Sequence, residues 1–462
     1  MTIQQVTELG LKYLSESEES VVPSGYKQTE VGVIPEDWKI VCLDQLSEKI
    51  MVGIASAATH AYRNRGIPFL RNQNILPNKL DETDILFITP EYELAFQNKR
   101  LKAGDLLTAR TGYPGTTCII PESYSGAQSF TTLITRLKVG EAIPQYVSAY
   151  MNSESGEKFF ELNQIGGGQK NVNSAILKTL PLPLPSVKEQ TAIANALFDI
   201  DALIGELEKL ITKKQAIKTA TMQQLLTGRI RLPQFALHED GSKKGYKQSE
   251  LGAIPEDWEV VRFGELFEPE ISRKSIKPST LVSFIGMQDV TERAKLANQS
   301  VISYEKVKSG FTYFERGDVL LAKITPCFEN GKGCHAENLE TENGFGSTEF
   351  HVLRATEFSD SKFIYFWTTR NNFRADLESE MVGSAGHRRV PLSAISNYKI
   401  HCPPNKQEQT DIATILSDMD NELQALEQRL SKTRQIKQGM MQELLTGKTR
   451  LVKPEDDHHG SA

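Results

Sequence analysis

Residues 25–38 read GYKQTEVGVIPEDW, and residues 245–258 read GYKQSELGAIPEDW. The two copies lie 220 residues apart, which is far beyond the roughly 20 to 50 residues that separate the units of stacked repeats. A repeat at this distance marks whole domains. The sequence therefore reads as a tandem duplication.

The bulk properties limit what the duplicated domains can be. The chain has 462 residues, of which 39% are hydrophobic and 24% charged, and this composition is typical of a globular protein. No apolar run approaches the roughly 20 residues of a membrane span, and the first 20 residues are too polar for a signal peptide. We therefore expect a cytosolic protein without a membrane segment. The net charge of −6 is not that of a free-standing DNA binder, so any nucleic-acid surface must be local.

Five cysteines without a CxxC pair predict neither a disulfide framework nor a zinc ribbon. The nearest approach to a metal site is Cys327, Cys334 and His335, and unrelated buried or loop residues explain these better.

The duplication continues beyond the opening phrase, with a drifting offset. IPFLRNQNI (67–75) matches SFIGMQDVT (283–291), GDLLTAR (104–110) matches GDVLLAK (317–323), and GGGQKNVNSAI (166–176) matches SAGHRRVPLSAI (384–395). Apolar alternation predicts short strands here, and the 3.6-residue spacing in PQYVSAYMNSESGEKFFEL and SKFIYFWTTRNNFRADLES predicts a helix. Each copy is thus predicted to be a mixed α and β domain with a shared framework and different loops.

The last segment of each copy keeps a constant offset, as continuous helices require. Apolar residues recur there at alternating spacings of four and three, the heptad seam of a coiled coil. A dimerisation stalk would show the same seam, but the order of globular segment, helix, globular segment and helix favours an internal antiparallel pair. The seam positions are Ile193, Leu197, Ile200, Ile204, Leu207, Ile211, Ile412, Leu416, Met419, Leu423, Leu426 and Leu430.

Helix start and stop signals agree with this interpretation. Ser186 with Glu189, and Asn405 with Glu408, have the spacing of a capping box, and LLTG closes both runs. The first helix is predicted over residues 187–226, a length of about 60 Å at about 1.5 Å per residue.

Taken together, these phrases resemble the specificity (S) subunits of type I restriction-modification systems. The resemblance covers residues 24–451 and is carried by GYKQTEVGVIPEDW, LPLPLPSVKEQTAIANALFDIDALIGELEKL, KKQAIKTATMQQLLTGRIRL and their second copies. It implies that each domain reads one half of a bipartite, asymmetric site in double-stranded DNA. It also implies that the paired helices set the gap and dock two methyltransferase (M) subunits, and that restriction (R) subunits join this core. S-adenosylmethionine would belong to the M subunits, and ATP and Mg²⁺ to the R subunits.

The predicted fold class is α+β: two mixed α/β target recognition domains separated by a pair of long antiparallel coiled-coil helices, with a pseudo-twofold internal repeat. The expected segments are an N-terminal extension (1–23), recognition domain 1 (24–185), a central spacer helix (186–232), a linker (233–243), recognition domain 2 (244–404), a distal spacer helix (405–451) and a tail (452–462).

Motifs for catalysis by the chain itself are missing from the sequence. An adenine methyltransferase would need a glycine-rich cofactor loop and an Asn-Pro-Pro-Tyr type motif, and an ATPase would need GxxxxGK[ST]. GGGQK (166–170) is a weak cofactor signal, and turn chemistry explains Asp105 and Asp318. We expect no catalytic residue and no metal site. The alternative is a stand-alone two-domain DNA-binding or scaffolding protein without methyltransferase partners, which the neighbouring genes would discriminate.

The resemblance implies that recognition loops follow the central strands, where the offset drifts. Arginine or lysine reads guanine, asparagine or glutamine reads adenine, and other polar groups mostly contact phosphates. In the first domain the candidates are Arg71, Asn72, Gln73, Asn74, Arg110, Thr111, Tyr113, Gln169, Lys170 and Asn171. In the second domain they are Gln288, Asp289, Lys323, Thr325, His387, Arg388 and Arg389.

Overall fold

The computed structural model describes residues 22–166, 170–384 and 386–452. The chain divides into two compact units. Among the described residues, unit 1 holds those within 22–207 and 429–452, and unit 2 those within 208–428. Each unit therefore combines one α+β domain with parts of both long helices. Nearly all of the expected extension (1–23) and tail (452–462) lies outside the described residues.

Unit 1 is built on two four-stranded sheets, ordered β11-β10-β13-β4 and β12-β6-β9-β5. Strand β6 runs parallel to β12, and the other pairs in these sheets are antiparallel. Ribbons β1-β2, β14-β3 and β7-β8 complete the unit. The strands are β1 Tyr26–Thr29, β2 Gly32–Pro35, β3 Lys39–Cys42, β4 Ser47–Val52, β5 Tyr62–Arg63, β6 Ile67–Leu70, β7 Ile75–Leu76, β8 Lys79–Leu80, β9 Leu86–Ile88, β10 Leu106–Thr108, β11 Thr117–Ile119, β12 Gln128–Ser129, β13 Leu133–Leu137 and β14 Pro181–Leu184.

Unit 2 repeats this framework with sheets β19-β18-β23-β20 and β22-β21-β24 and ribbons β15-β16 and β17-β25. Strand β18 is parallel to β23, as β6 is to β12, so the matched sequences around residues 69 and 284 hold the same place. The strands are β15 Tyr246–Ser249, β16 Gly252–Pro255, β17 Glu259–Arg262, β18 Leu281–Ile285, β19 Ser300–Ser303, β20 Thr312–Glu315, β21 Val319–Ala322, β22 Gly333–His335, β23 Asn343–Gly346, β24 Phe350–Leu353 and β25 Lys399–Cys402.

The single helix predicted near the end of each domain is instead a pair of short helices. In unit 1 the break falls at Asn152, whose amide binds the carbonyl of Thr117 at 2.8 Å, while Ser153 caps the next helix. This turn keeps apolar residues of both helices against the sheet. The short helices of unit 1 are Leu43–Leu46, Pro90–Leu94, Pro144–Met151, Glu154–Asn163 and Ser174–Lys178, and those of unit 2 are Ser361–Thr368, Asn371–Glu378 and Leu392–Asn397.

Two long helices follow the domains: the central helix, Val187–Leu226, of 40 residues, and the distal helix, Lys406–Leu444, of 39 residues. In unit 2, Lys214 binds Glu422 at 2.7 Å and Lys218 binds Asp420 at 2.8 Å. Residue numbers rise along one helix as they fall along the other, so the helices are antiparallel.

In unit 1, Lys437 binds Asp201 at 2.6 Å. There Ile193 and Leu197 share a core with Met441 and Leu444. Six of the twelve predicted seam positions are buried, with less than 6% exposure, namely Ile193, Leu197, Leu207, Ile412, Leu416 and Leu423. The remaining seam positions, Ile200, Ile204, Ile211, Met419, Leu426 and Leu430, are half-buried.

The expected capping boxes form only in part. The Ser186 hydroxyl accepts from the Glu189 N–H at 3.3 Å, and Asn405 Oδ1 accepts from the Gln407 N–H at 2.8 Å. The carboxylates of Glu189 and Glu408 do not reach back to the cap, because each binds a tryptophan indole and an arginine inside its unit. A tertiary contact thus replaces the local one.

The LLTG phrase ends both long helices as predicted. Gly228 and Gly447 adopt φ values of +68° and +70°, the left-handed conformation that favours glycine after a helix. Of the helices described, none is long and apolar enough to cross a membrane.

Candidate nucleic-acid interface

The turn after β6 holds four of the predicted DNA-contacting residues. Asn74 is 1% exposed. Its Oδ1 accepts from the Arg71 N–H at 2.9 Å, and its Nδ2 donates to the carbonyls of Asp81 and Asp84 at 3.2 and 3.0 Å. All these bonds go to backbone groups of residues 71–84, so Asn74 shapes this segment, and of the other three candidates only Gln73 is exposed.

Asp289 has the same role after β18. Its Oδ2 accepts from the Gly286 N–H at 2.7 Å and from Gln288 Nε2 at 3.3 Å. The shared turn therefore explains why Asn74 and Asp289 occupy matching positions. Gln288 remains exposed, like Gln73.

An acidic side chain that sequence reasoning missed organises the first turn. Asp84 Oδ2 accepts from Arg71 Nη2 at 2.7 Å and from Gln73 Nε2 at 2.9 Å. Two candidate base readers are thus held by one carboxylate, a form of preorganisation. No local pattern could have shown this, because Asp84 lies in a loop 13 residues beyond Arg71.

Three of the predicted clusters in unit 1 adjoin one another. Asn72 Oδ1 accepts from the Arg110 N–H at 2.8 Å, and Asn72 Nδ2 donates to Thr111 Oγ1 at 3.3 Å. The Val172 N–H donates to the Arg110 carbonyl at 3.0 Å, and Asn171 pairs with Ile165. Segments 71–74, 110–113 and 170–172 therefore form one surface. Lys170 is exposed on it, and Gln169 lies outside the described residues.

The corresponding surface of unit 2 joins segments 323–325 and 387–389. The Thr325 N–H donates to the Arg388 carbonyl at 2.9 Å, and the Val390 N–H donates to the Lys323 carbonyl at 2.9 Å. The exposed His387 lies at the end of this loop.

Segment 347–349 connects this loop to the turn at 286–289. The Ser347 N–H donates to the Ile285 carbonyl at 3.1 Å, and the Lys323 N–H donates to the Glu349 carbonyl at 2.9 Å. The three predicted clusters of unit 2 thus also adjoin.

Two carboxylates missed by the sequence analysis hold the cations of this loop. Glu349 accepts from Arg389 Nε and Nη2 at 2.9 and 2.7 Å, and this guanidinium lowers the pKa of Glu349. Glu329 Oε1 accepts from Thr325 Oγ1 at 2.6 Å and lies 3.5 Å from Arg388 Nη2. Glu349 takes the place that Thr132 has in unit 1, since both directly precede the strand beside the central one. The replacement of a threonine by a glutamate at this position did not by itself predict an ion pair.

One candidate cation in each unit lies just beyond a central strand and has no described side-chain partner. Arg110 and Lys323 occupy matching positions just after β10 and β21. Arg110 Nε is buried without an acceptor. Within the described residues, neither side chain makes a hydrogen bond or ion pair. An unpaired guanidinium beside exposed polar groups is suited to donate hydrogen bonds to an anionic or carbonyl group of a ligand.

The remaining chemical candidates have structural explanations. Asp105 and Asp318 bind Arg136 and Arg354, with closest contacts of 2.7 Å in both cases. Both also accept backbone N–H groups of their own turns. Cys327 and Cys334 are free thiols, and His335 Nε2 lies 2.9 Å from Ser361 Oγ. The described part of the chain contains no cluster of three or more His, Cys, Asp or Glu side chains suited to a metal ion.

Comparison with known proteins assigns the family. The model of the type I restriction modification DNA specificity domain matches residues 35–219 and again residues 255–437. The chain belongs to this family of type I restriction-modification specificity subunits.

Individual relatives agree with this assignment. The chain is 26% identical over 447 residues to the MjaX specificity subunit of Methanocaldococcus jannaschii, covering 92% of this chain and 97% of that one. It is 31% identical over 227 residues to the EcoEI specificity subunit of Escherichia coli, covering 49% of this chain and 37% of that one. The crystal structure of the S subunit from M. genitalium aligns with a TM-score of 0.55 at 14% identity, covering 88% of this chain and 96% of that one, and shows the same fold.

Proposed function

We propose that this chain reads DNA for a type I restriction-modification complex, with each unit contacting one half of a bipartite, asymmetric site. The unpaired cations Arg110 and Lys323 carry this proposal. Each follows the central strand of its domain and is joined by backbone hydrogen bonds to a loop with exposed polar side chains. Cations and amides of this kind contact phosphates and base edges in duplex DNA.

The two units should read different sequences. Arg71 and Asn72 of unit 1 are matched by Gly286 and Met287 of unit 2. Two side chains with hydrogen-bond donors in unit 1 therefore correspond to residues without such donors in unit 2. Arg110 and Lys323 also differ, because a guanidinium can bind guanine through two bonds whereas an ammonium acts as a point charge. Unequal half-sites give an asymmetric target.

An exposed apolar stripe on the central helix supports the docking of methyltransferase subunits. Phe198 and Leu203 are 67% and 41% exposed in unit 1, and Leu210 and Ile217 are 38% and 41% exposed in unit 2. Leu203, Leu210 and Ile217 follow one another at intervals of seven residues, so they lie on one face of the helix. Exposed apolar stripes of this kind favour partner helices. Leu203→Glu should reduce copurification of an M subunit, whereas Lys213→Ala on the same helix should not.

The chemistry of the complex would belong to partner subunits. S-adenosylmethionine would bind the M subunits, and ATP and Mg²⁺ would bind R subunits that join through the M/S core. The missing cofactor motifs support this division. We therefore expect the isolated chain neither to bind S-adenosylmethionine in calorimetry nor to methylate DNA, and stoichiometric binding would contradict the proposal.

The deciding experiment coexpresses the chain with the methyltransferase encoded beside it and maps methylated adenines by sequencing. We expect one split site. Arg110→Ala should weaken binding through one half-site, and Lys323→Ala through the other. The loss of binding free energy should be about 1–3 kcal/mol if the side chain contacts a base. If it contacts a phosphate, the loss should be smaller and the salt dependence of binding should decrease. Lys102→Ala, before the opposite end of β10, is the control.

The same experiment tests the stand-alone alternative. Sequence-specific binding by the chain without M subunits, together with no methylation in their presence, would favour that alternative. The net charge of −6 disfavours it, because a protein that neutralises many phosphates alone benefits from a basic surface.

A further inference from the structure

The hairpin loop between β10 and β11 displays an aromatic side chain. Tyr113 is 84% exposed, and its hydroxyl makes no hydrogen bond to any described residue. Tyrosine normally buries most of its ring. This side chain instead projects from the surface formed by segments 71–74, 110–113 and 170–172.

The support of Tyr113 is ordered. The Gly115 N–H donates to the Ala109 carbonyl at 2.9 Å, and Asn72 holds the loop at Arg110 and Thr111. Gly115 has a φ of +98°, and a Cβ there would overlap the ring of Phe160. The loop is thus packed tightly onto the helix Glu154–Asn163. A ring on such a base loses little entropy when it binds.

Two further exposed apolar side chains lie on or just after the helix that packs against this loop. Ile165 is 53% exposed and Leu162 is 76% exposed. Ile165 pairs with Asn171, and the next residue, Val172, donates to the Arg110 carbonyl. The exposed Ile165 therefore lies on the strand bridge next to the backbone of Arg110. On duplex DNA the apolar partners for such a side chain are the base faces and the thymine methyl group.

Unit 2 presents no such ring at the matching place. The loop between β21 and β22 contains Phe328, which is 0% exposed, and Arg374 lies over it at 4.9 Å. The feature is therefore specific to unit 1.

We propose that Tyr113 is an aromatic wedge that enters the base stack within the half-site read by unit 1. Side chains that partly unstack a base step bend the duplex and increase the contact surface. Arg110, at the base of the loop, would contact the adjoining backbone or base edge. This inference rests on the proposed function and adds a local deformation of one half-site.

The test uses the complex of the full chain with its M subunits and duplexes carrying 2-aminopurine, one position at a time, across both half-sites. Methyltransferases extrude their target base, so the methylated adenines are left out. We expect increased fluorescence at one step of the half-site of unit 1. Tyr113→Ala should abolish it and weaken specific binding between about 5-fold and 150-fold. Tyr113→Phe should retain both.

Phe358→Ala is the matched control, because Phe358 is 73% exposed in unit 2 outside the recognition loops. It should leave the fluorescence and affinity unchanged. The wedge proposal would be wrong if the Tyr113→Ala complex had the fluorescence profile and affinity of the wild type. It would also be wrong if the wild-type complex unstacked no base outside the methylated adenines. A wild-type complex that methylates no defined sequence would refute the proposed function itself, and the wedge with it, before any variant is compared.

Discussion

The Arg450 guanidinium binds the carboxylate of Glu189, 261 residues earlier in the chain, with Nε–Oε1 and Nη2–Oε2 distances of 2.5 and 2.8 Å. Arg450 also binds Asp37 at 2.8 Å, and Trp38 Nε1 donates to Glu189 at 3.2 Å. The segment after the distal helix thus completes unit 1. It joins the hairpin phrase IPEDW to the start of the central helix.

The same four-residue cluster recurs in unit 2. Arg231 binds Glu408 at 2.7 Å and Asp257 at 2.6 Å, and Trp258 Nε1 donates to Glu408 at 3.3 Å. The repeated phrases of the sequence, namely IPEDW, the helix start and the segment after LLTG, are therefore parts of one contact. This contact explains why they match so closely between the copies.

Arg450→Ala should destabilise unit 1 strongly. Glu189 has a side-chain exposure of 2%, so the substitution would leave a buried carboxylate without its cation, at a cost of about 3–5 kcal/mol. Hydrogen exchange of peptides containing residues 34–42 would report the loss. Lys188→Ala, an exposed neighbour on the same helix, should change stability by less than about 0.5 kcal/mol. Equal exchange in the two variants would mean that the cluster does not hold the unit together.

Gly447→Ala should also destabilise unit 1. Gly447 has a φ of +70°, and a Cβ there would lie 2.5 Å from Pro35 Cδ. Alanine would therefore strain the backbone and clash with the hairpin that contains Pro35. We expect a loss above about 1 kcal/mol in the free energy of unfolding from denaturant titration.

Gly439 provides the opposite control. It lies inside the distal helix, and a Cβ there would have nothing within 4 Å. Gly439→Ala should therefore stabilise the helix by about 0.5–1 kcal/mol. Similar effects of the two substitutions would contradict this packing account.

The cluster should make stability depend on pH in acid. The hydrogen bonds from Arg450 lower the pKa of Asp37 below its ordinary value of 3.8. A carboxyl group with a depressed folded-state pKa stabilises the protein above its unfolded pKa, and this contribution is lost as the pH falls through the folded value. The stability difference between wild type and Asp37→Asn should therefore be present at pH 6 and shrink below about pH 3.8.

Urea titrations between pH 3 and pH 6 would measure this difference. The control is Glu36→Gln, since the Glu36 side chain makes no ion pair within the described part of the chain. A difference for Asp37→Asn that stays constant over this range would show that the Asp37 pKa is not depressed by folding.

The sequence predicted the framework better than the site. The heptad spacing of apolar residues, the constant offset between the two copies and the glycine of LLTG predicted the central helix at residues 187–226. This prediction was possible because a long helix repeats its apolar spacing over many turns. The helix break at Asn152 was missed because its cause is a bond to Thr117, distant in sequence. For the same reason Asn74 could not be distinguished from Asn72 by residue type, although only Asn74 is buried. Burial and ion pairing are tertiary properties, and they decide which polar residues face a ligand.

Exchanging residues 24–180 for the corresponding domain of a relative should change one half of the recognised site. The recognition segments 71–74, 110–113 and 170–172 all lie within the exchanged region, whereas those of unit 2 do not. The donor must retain Asp37 and Trp38, since both contact the cluster at Arg450. Methylation mapping of the hybrid complex would decide the matter, and a change in both halves would contradict independent reading.

The helix pair can be tested as the element that sets the gap between half-sites. Inserting four residues after Leu207 and four after Leu426 lengthens both helices by about 6 Å, at about 1.5 Å per residue. The double insertion preserves the ion pairs Lys437–Asp201 and Lys214–Glu422, because each pair lies wholly on one side of the two insertions. A four-residue insertion is a stutter, which a coiled coil absorbs by slight unwinding. Six ångströms correspond to about two base pairs at roughly 3.4 Å each.

The complex containing the double insertion should methylate the same half-sites at a gap longer by about one or two base pairs. Its activity should fall, because two base pairs also rotate the second half-site by about 70° on a helix of 10 to 10.5 pairs per turn. Inserting four residues into the central helix alone is the control, since it shifts one helix against the other and should destabilise the pair. Methylation sequencing gives the answer. An unchanged gap would mean that the helices do not set the distance, and altered half-site bases would mean that the domains do not read DNA independently.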